Sequence, residues 1–128
     1  MPHVVLDKGF IAGEAINQFD LVKLVSAETI NKADTDNEAI LGVAQETATS
    51  DDATAGRVIN VRLLGVSRVI ADADLTIYTN VVSHDDGSVK AMAAATKQKV
   101  VGLLLTDPAA QGDHADILLT PGVEVDNS

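Results

Sequence analysis

Two short apolar runs, each interrupted by one glycine, constrain this chain more than any other feature: Ala39-Ile40-Leu41-Gly42-Val43-Ala44 and Val100-Val101-Gly102-Leu103-Leu104-Leu105. Apolar runs without alternation belong to strands covered on both faces, and a glycine inside such a strand marks a bulge or a close approach of another backbone. Each run heads a matching series. Gly42-Val43 pairs with Gly102-Leu103, Gly56 before Val58-Ile59-Asn60-Val61 pairs with Gly112 before His114-Ala115-Asp116-Ile117, and Gly65-Val66 pairs with Gly122-Val123, at offsets of 60, 56 and 57 residues. Lys32-Ala33 and Lys90-Ala91 extend the match upstream, and Asp20-Leu21-Val22-Lys23-Leu24 resembles Asp74-Leu75-Thr76-Ile77-Tyr78. Two related hairpin units, about 13–66 and 67–123, therefore lie head to tail. The copies are too few and too long for a solenoid, so they predict one barrel-like core built from two halves.

The segments between breaks support the same class. Val58 to Leu64 alternates, with Ile59, Val61 and Leu63 on one face and Asn60 and Arg62 on the other, as a half-buried strand requires. Leu75 to Val82 shows a similar alternation and predicts a second such strand, running into His84-Asp85-Asp86-Gly87, where Asp-Gly signals a hairpin turn. Only Ala91 to Lys99 leans helical, and it is too short to stand as a helix. It and Ala33 to Glu38 are read as connections. The expected fold is mainly β, a compact β-barrel-like domain spanning residues 9–128 with little helix, preceded by a short arm at 1–8.

Composition narrows function. Of 128 residues 46% are apolar, enough for one buried core, yet Phe10, Phe19 and Tyr78 are the only aromatics, leaving little on which to stack a nucleobase. A formal net charge of −10, with basic residues scattered, repels nucleic acid and anionic lipid. No cysteine is present, which removes disulfide and thiol chemistry. The start lacks the basic and apolar regions of a secretory signal, and no run approaches the roughly 20 apolar residues of a membrane span. A soluble protein with no nucleic-acid or membrane partner is expected.

Candidate chemistry is sparse. Ser83-His84-Asp85 holds a nucleophile, a base and a carboxylate in order, but adjacent strand residues point to opposite faces and a triad must converge. Asp34-Thr35-Asp36-Asn37-Glu38 has the opening spacing of a calcium loop, yet Ala39 stands where that loop needs glycine and Gln45 where it needs glutamate. A weak cation site at Asp34, Asp36 and Glu38, fed by Asp51 and Asp52, is the remaining alternative to a solvated acidic turn. His3, His84 and His114 have no local co-ligand, and Gly9-Phe10-Ile11-Ala12-Gly13 lacks the lysine of a phosphate loop. No enzyme activity, no cofactor, no metal and no small-molecule substrate are expected. Val4-Val5-Leu6, behind Pro2, has no hairpin partner nearby; such a terminal strand completes its own sheet or adds to a partner's sheet edge.

The order of these units carries a resemblance. Ile40-Leu41-Gly42-Val43-Ala44, then Ala55-Gly56-Arg57-Val58-Ile59-Asn60-Val61, then Gly65-Val66, then Asp74-Leu75-Thr76-Ile77-Tyr78, then Val100-Val101-Gly102-Leu103 resemble the capsid decoration, or cement, proteins of tailed bacteriophages, over roughly Gly13 to Pro121. Ala73-Asp74 departs from the Gly-Asp common in that family. The resemblance implies a β-tulip or β-clip domain, a homotrimer on the three-fold and quasi-three-fold positions of the expanded head, and the major capsid protein as partner. It places the protein on the outer capsid surface of the virion after synthesis in the host cytoplasm. It further implies a capsid-binding arm, which maps to Pro2, His3, Val4, Val5, Leu6, Asp7 and Lys8. Two other roles fit paired hairpins: a tail or fibre adaptor, and a biotinyl-like carrier module. A carrier needs a lysine at a hairpin tip, where this chain has Asp85-Asp86-Gly87.

Overall fold

The alternation that begins at Val58 does not stop at Leu64. In the computed structural model, which describes residues 5–92 and 97–126, it continues to Ile70 as a single strand, and that strand organises the whole molecule. The elements are β1 (Leu6–Ala12), β2 (Leu21–Ser26), β3 (Thr29–Lys32), β4 (Gly42–Ala44), α1 (Ser50–Thr54), β5 (Val58–Ile70), β6 (Asn80–Ser83), β7 (Val89–Ala91), β8 (Lys97–Leu104) and β9 (His114–Asp126). The mainly β, barrel-like fold read from the sequence is the observed one.

The strand order is β1-β3-β2-β4-β5, and β1 also pairs with β5, so these five strands close into a barrel. The sheet continues β5-β9-β8-β6-β7. A parallel bridge from Ala71 to Val89 brings the end of β5 back to β7, as the parallel pair Ala12 and Ile30 joins β1 to β3. The second half thus repeats the first. The C-terminal part of β5 plays the part of β1, pairing with β9 as β1 pairs with the N-terminal part of β5.

Backbone hydrogen bonds repeat with it: Gly13 N donates to Ile30 O at 2.8 Å and Asp72 N to Val89 O at 2.9 Å, Ile16 N to Ala48 O and Leu75 N to Pro108 O, Phe19 N to Ala44 O and Tyr78 N to Leu104 O, both at 2.7 Å. The cores match position for position. Phe10, Ile16, Val22, Ile30, Ile59 and Val61 fill the first barrel, and Val69, Leu75, Val81, Val89, Ala115 and Ile117 fill the second. Full burial of each large aliphatic side chain contributes about 1.5–3 kcal/mol.

The matched glycines have one geometric cause. Gly42 on β4 faces the carbonyl oxygen of Arg62 on β5, and Gly102 on β8 faces that of Leu118 on β9, each closer than 3.0 Å to where a Cβ would stand. Neither position admits a side chain without parting the strands.

Three sequence expectations change. The predicted strand Leu75 to Val82 is β6 alone, Asn80–Ser83. Leu75 instead occupies the place of Ile16, and Ile77 and Tyr78 form a turn in which Tyr78 has φ 70°, Ile77 N donates to Asp107 Oδ1 and Thr79 Oγ1 donates to Thr76 O. The counterpart of the β2 region is accordingly Tyr78 to Ser83 and not Asp74 to Tyr78: Val22 pairs with Gly42 as Val81 pairs with Gly102. The boundary at residue 8 also moves, because Leu6 to Lys8 belong to β1, where they pair with Leu64, Arg62 and Val61. Of the Ala91 to Lys99 connection, Ala91 ends β7 and Lys97 opens β8, while 93–96 fall outside the described residues.

Candidate functional site

Pro2, His3 and Val4 of the expected arm lie outside the described residues. Val5 is exposed, and the remaining three residues are tied into the first barrel. Asp7 accepts from Arg62 Nε at 2.9 Å, from Arg62 Nη2 at 3.2 Å and from Asn60 Nδ2 at 3.0 Å. The guanidinium beside it, aided by Asn60, holds the Asp7 carboxyl below the usual carboxylate range. The Lys8 ammonium sits 4.6 Å from the centre of the Phe10 ring and 3.8 Å from Glu28. Of the two roles open to this segment, Leu6 to Lys8 complete their own sheet.

Ser83 and His84 turn away from each other's chemistry. Ser83 is buried; its Oγ accepts from Glu38 N at 2.9 Å and donates to Thr35 O at 3.0 Å. His84 presents Nδ1 to Asp36 at 2.9 Å and Nε2 to Asp72 and Asp85 at 3.2 and 3.3 Å. The run is therefore not a nucleophile and base in contact. The acidic turn divides likewise: Asp34 pairs with Lys23 at 2.6 Å, while Asp36 pairs with Lys90 at 2.6 Å, which holds the Asp36 carboxyl below its usual range. Glu38 accepts from the backbone of Asp34 and Thr35, and Asp51 and Asp52 lie away in α1, with Asp52 closing a capping box on Thr49. Asp34 and Glu38 thus meet on the Lys23 ammonium, and Asp36 turns instead to Lys90 and His84, so the three do not form one ligand set.

What does converge was hidden in the sequence. Asp36, His84 and Asp85 form one group of three potential ligands and Asp72, His84 and Asp86 another, with donor atoms in each group within 4.8 Å of one another. One imidazole nitrogen among carboxylates suits a small divalent cation. Asp36 comes from the loop before β4 and Asp72 from the turn after β5, so only the fold assembles this cluster.

A second feature lies in the second half of the repeat, which also supplies most of the His84 cluster. An open recess of about 420 Å³ is bounded by Asp74, Leu75, Tyr78, Asn80, Ala91 and Met92. Tyr78 at its rim is the most exposed large apolar residue among those described, at 79%. In the first half the equivalent Phe19, with φ 73°, is partly buried on the second core and meets His114 edge to face at 5.6 Å.

No family model matches the chain, and no curated protein matches it. Among solved structures it is similar to the head fiber gp8.5 N base of bacteriophage phi29, at a TM-score of 0.67 and 18% identity, over 91% of this chain and 95% of that one. The two share a fold along nearly their full lengths.

Proposed function

We propose that the chain is a noncatalytic structural protein of a phage head: a decoration protein that seats as a homotrimer on the outer surface of the expanded shell, at three-fold and quasi-three-fold positions, and stabilises it against the pressure of packaged DNA. The observation that carries this reading is the fold shared end to end with the base of a phage head fibre. The ordered glycine-led motifs, with their resemblance to decoration proteins, support it independently. Three weak contacts joined on one axis bind as a unit, so valency supplies affinity without a reactive group. The major capsid protein is the proposed partner, reached through the residues that precede β1.

The same similarity favours one second reading, in which this domain is the base of a fibre or an adaptor for one. The carrier alternative is weakened at its key position: the loop between β6 and β7 bears Asp85-Asp86-Gly87, and the nearby Lys90 ammonium is bound to Asp36. Co-sedimentation with purified heads tests the proposal. Saturable binding to expanded heads, absent from immature ones, with a raised head-disruption temperature, is the expected result. Heads that bind nothing refute it, and binding without any gain in head stability selects the adaptor.

A further inference from the structure

The repeat supplies an internal comparison. Within the chain, the first barrel packs on the second through Phe19, Leu21, Ala33, Ile40 and Val43, which join the second core, and Phe19 reaches the ring of His114. Matched strand registers place Tyr78 where Phe19 stands and Val58 where His114 stands. The second barrel therefore presents Tyr78 at the place of Phe19 and Leu103 at that of Val43, with Asn80 at that of Leu21, and the first barrel presents Val58 at the place of His114. Beyond Leu119, β9 stays paired with β8 as far as Asp126.

Both faces are left open among the described residues. Tyr78 at 79% and Val58 at 57% are the two most exposed large apolar side chains among the described residues. Tyr78 is also preorganised: its N–H donates to Leu104 O at 2.7 Å, and its positive φ is the one Phe19 uses to reach its partner. A rigid aromatic beside a recess is the usual anchor of a protein interface.

We propose that the Tyr78 face of one copy docks on the Val58 face of another, head to tail, repeating between chains the contact that Phe19 makes with His114 within one. The argument for a second copy as occupant is continuity: the intramolecular barrel contact already shows which surface this face accepts. A heterologous contact closes into a ring when its rotation permits, so the inference deepens the homotrimer proposed above and rests on it only for the number of copies.

The absence of cysteine makes the test clean. Tyr78→Cys and Val58→Cys variants are purified separately, mixed and oxidised mildly. Mixed disulfide dimers are expected from the equimolar mixture and not from either variant alone, and the Tyr78→Cys/Val58→Cys double variant should give closed multimers. Sedimentation of the wild-type chain should show association that Tyr78→Glu and Val58→Glu each abolish while circular dichroism is unchanged. Disulfides from Tyr78→Cys alone would indicate a two-fold contact and overturn the proposal. So would association that survives both glutamate variants, or a chain that stays monomeric and gives no mixed disulfide. Heads take no part, so failure here is separate from failure of the head reading.

Discussion

Replacing Gly42 or Gly102 by alanine should do the same damage in both halves. At either site the new methyl would stand closer than 3.0 Å to a carbonyl oxygen of the neighbouring strand, that of Arg62 or of Leu118, where ordinary contact begins at 3.4 Å. The obstacle is backbone and cannot rotate away, so the strands must part locally. Parting β4 from β5 weakens a ladder that joins only Val43 to Arg62 and Ala44 to Val61, and each backbone hydrogen bond contributes about 1 kcal/mol net. With overpacking itself costing about 1–3 kcal/mol, each variant should lose about 3 kcal/mol. For a domain of this size that lowers Tm by about 10 °C. Gly56→Ala is the control: nothing lies within 4 Å of its Cβ, but φ is 73°, so only conformational strain of about 1 kcal/mol is expected. Thermal unfolding followed by circular dichroism measures all three. A Gly42→Ala or Gly102→Ala protein no less stable than Gly56→Ala would refute the close-approach argument.

Two carboxylates should respond to pH with opposite sign. Arg62 and Asn60 hold Asp7 low, so its contribution is in place above the ordinary carboxylate range and is lost as pH falls through the lowered folded value; Asp7→Asn should cost about 1 kcal/mol at neutral pH, with the Tm gap to wild type closing in acid. Burial pushes the Asp20 carboxyl up, despite a hydrogen bond from Asn17 N. Its penalty is full above the raised folded value and gone below the ordinary carboxylate range, so Asp20→Asn should raise Tm at neutral pH and lose that advantage in acid. Ile59→Ala and Ile117→Ala, one in each of the two cores, should each cost about 2–5 kcal/mol. Calorimetry should show one transition in both, because β5 belongs to both barrels; two separate transitions would contradict that coupling.

Much of this architecture can be read from glycines and offsets. Gly42 and Gly102 mark the close approach of a neighbouring backbone, and Gly56 and Gly112 both adopt positive φ before a strand. Such positions are legible because a missing Cβ is written directly in the residue type. The first strand of the second barrel was not legible, because β5 runs through from Val58 to Ile70 without a break and serves two barrels in succession. Leu75, Ile77 and Val81 imitate a strand because the repeat needs apolar residues at Leu75 and Val81 for a reason other than alternation. The His84 cluster was invisible for another reason. Asp72 and Asp36 stand 12 and 48 residues before His84, and charged turns of that composition are common without any partner.

The shared strand also bears on how such a domain would act as a clamp. Two barrels joined by a linker move independently, and a clamp with a hinge transmits little of the force that separates its anchors. Here the strand that closes the first barrel is the strand that opens the second, and Leu21 and Val43 of the first barrel are buried in the second core with Phe19 packed against it. Bending between the halves would have to break the β5 ladders or uncover that shared apolar surface, which makes it a cost of folding rather than a soft motion. Among the described residues Tyr78 stands exposed on one half and Val58 on the other, so under the proposed docking the contact that makes the monomer stiff is the one that would join it to the next.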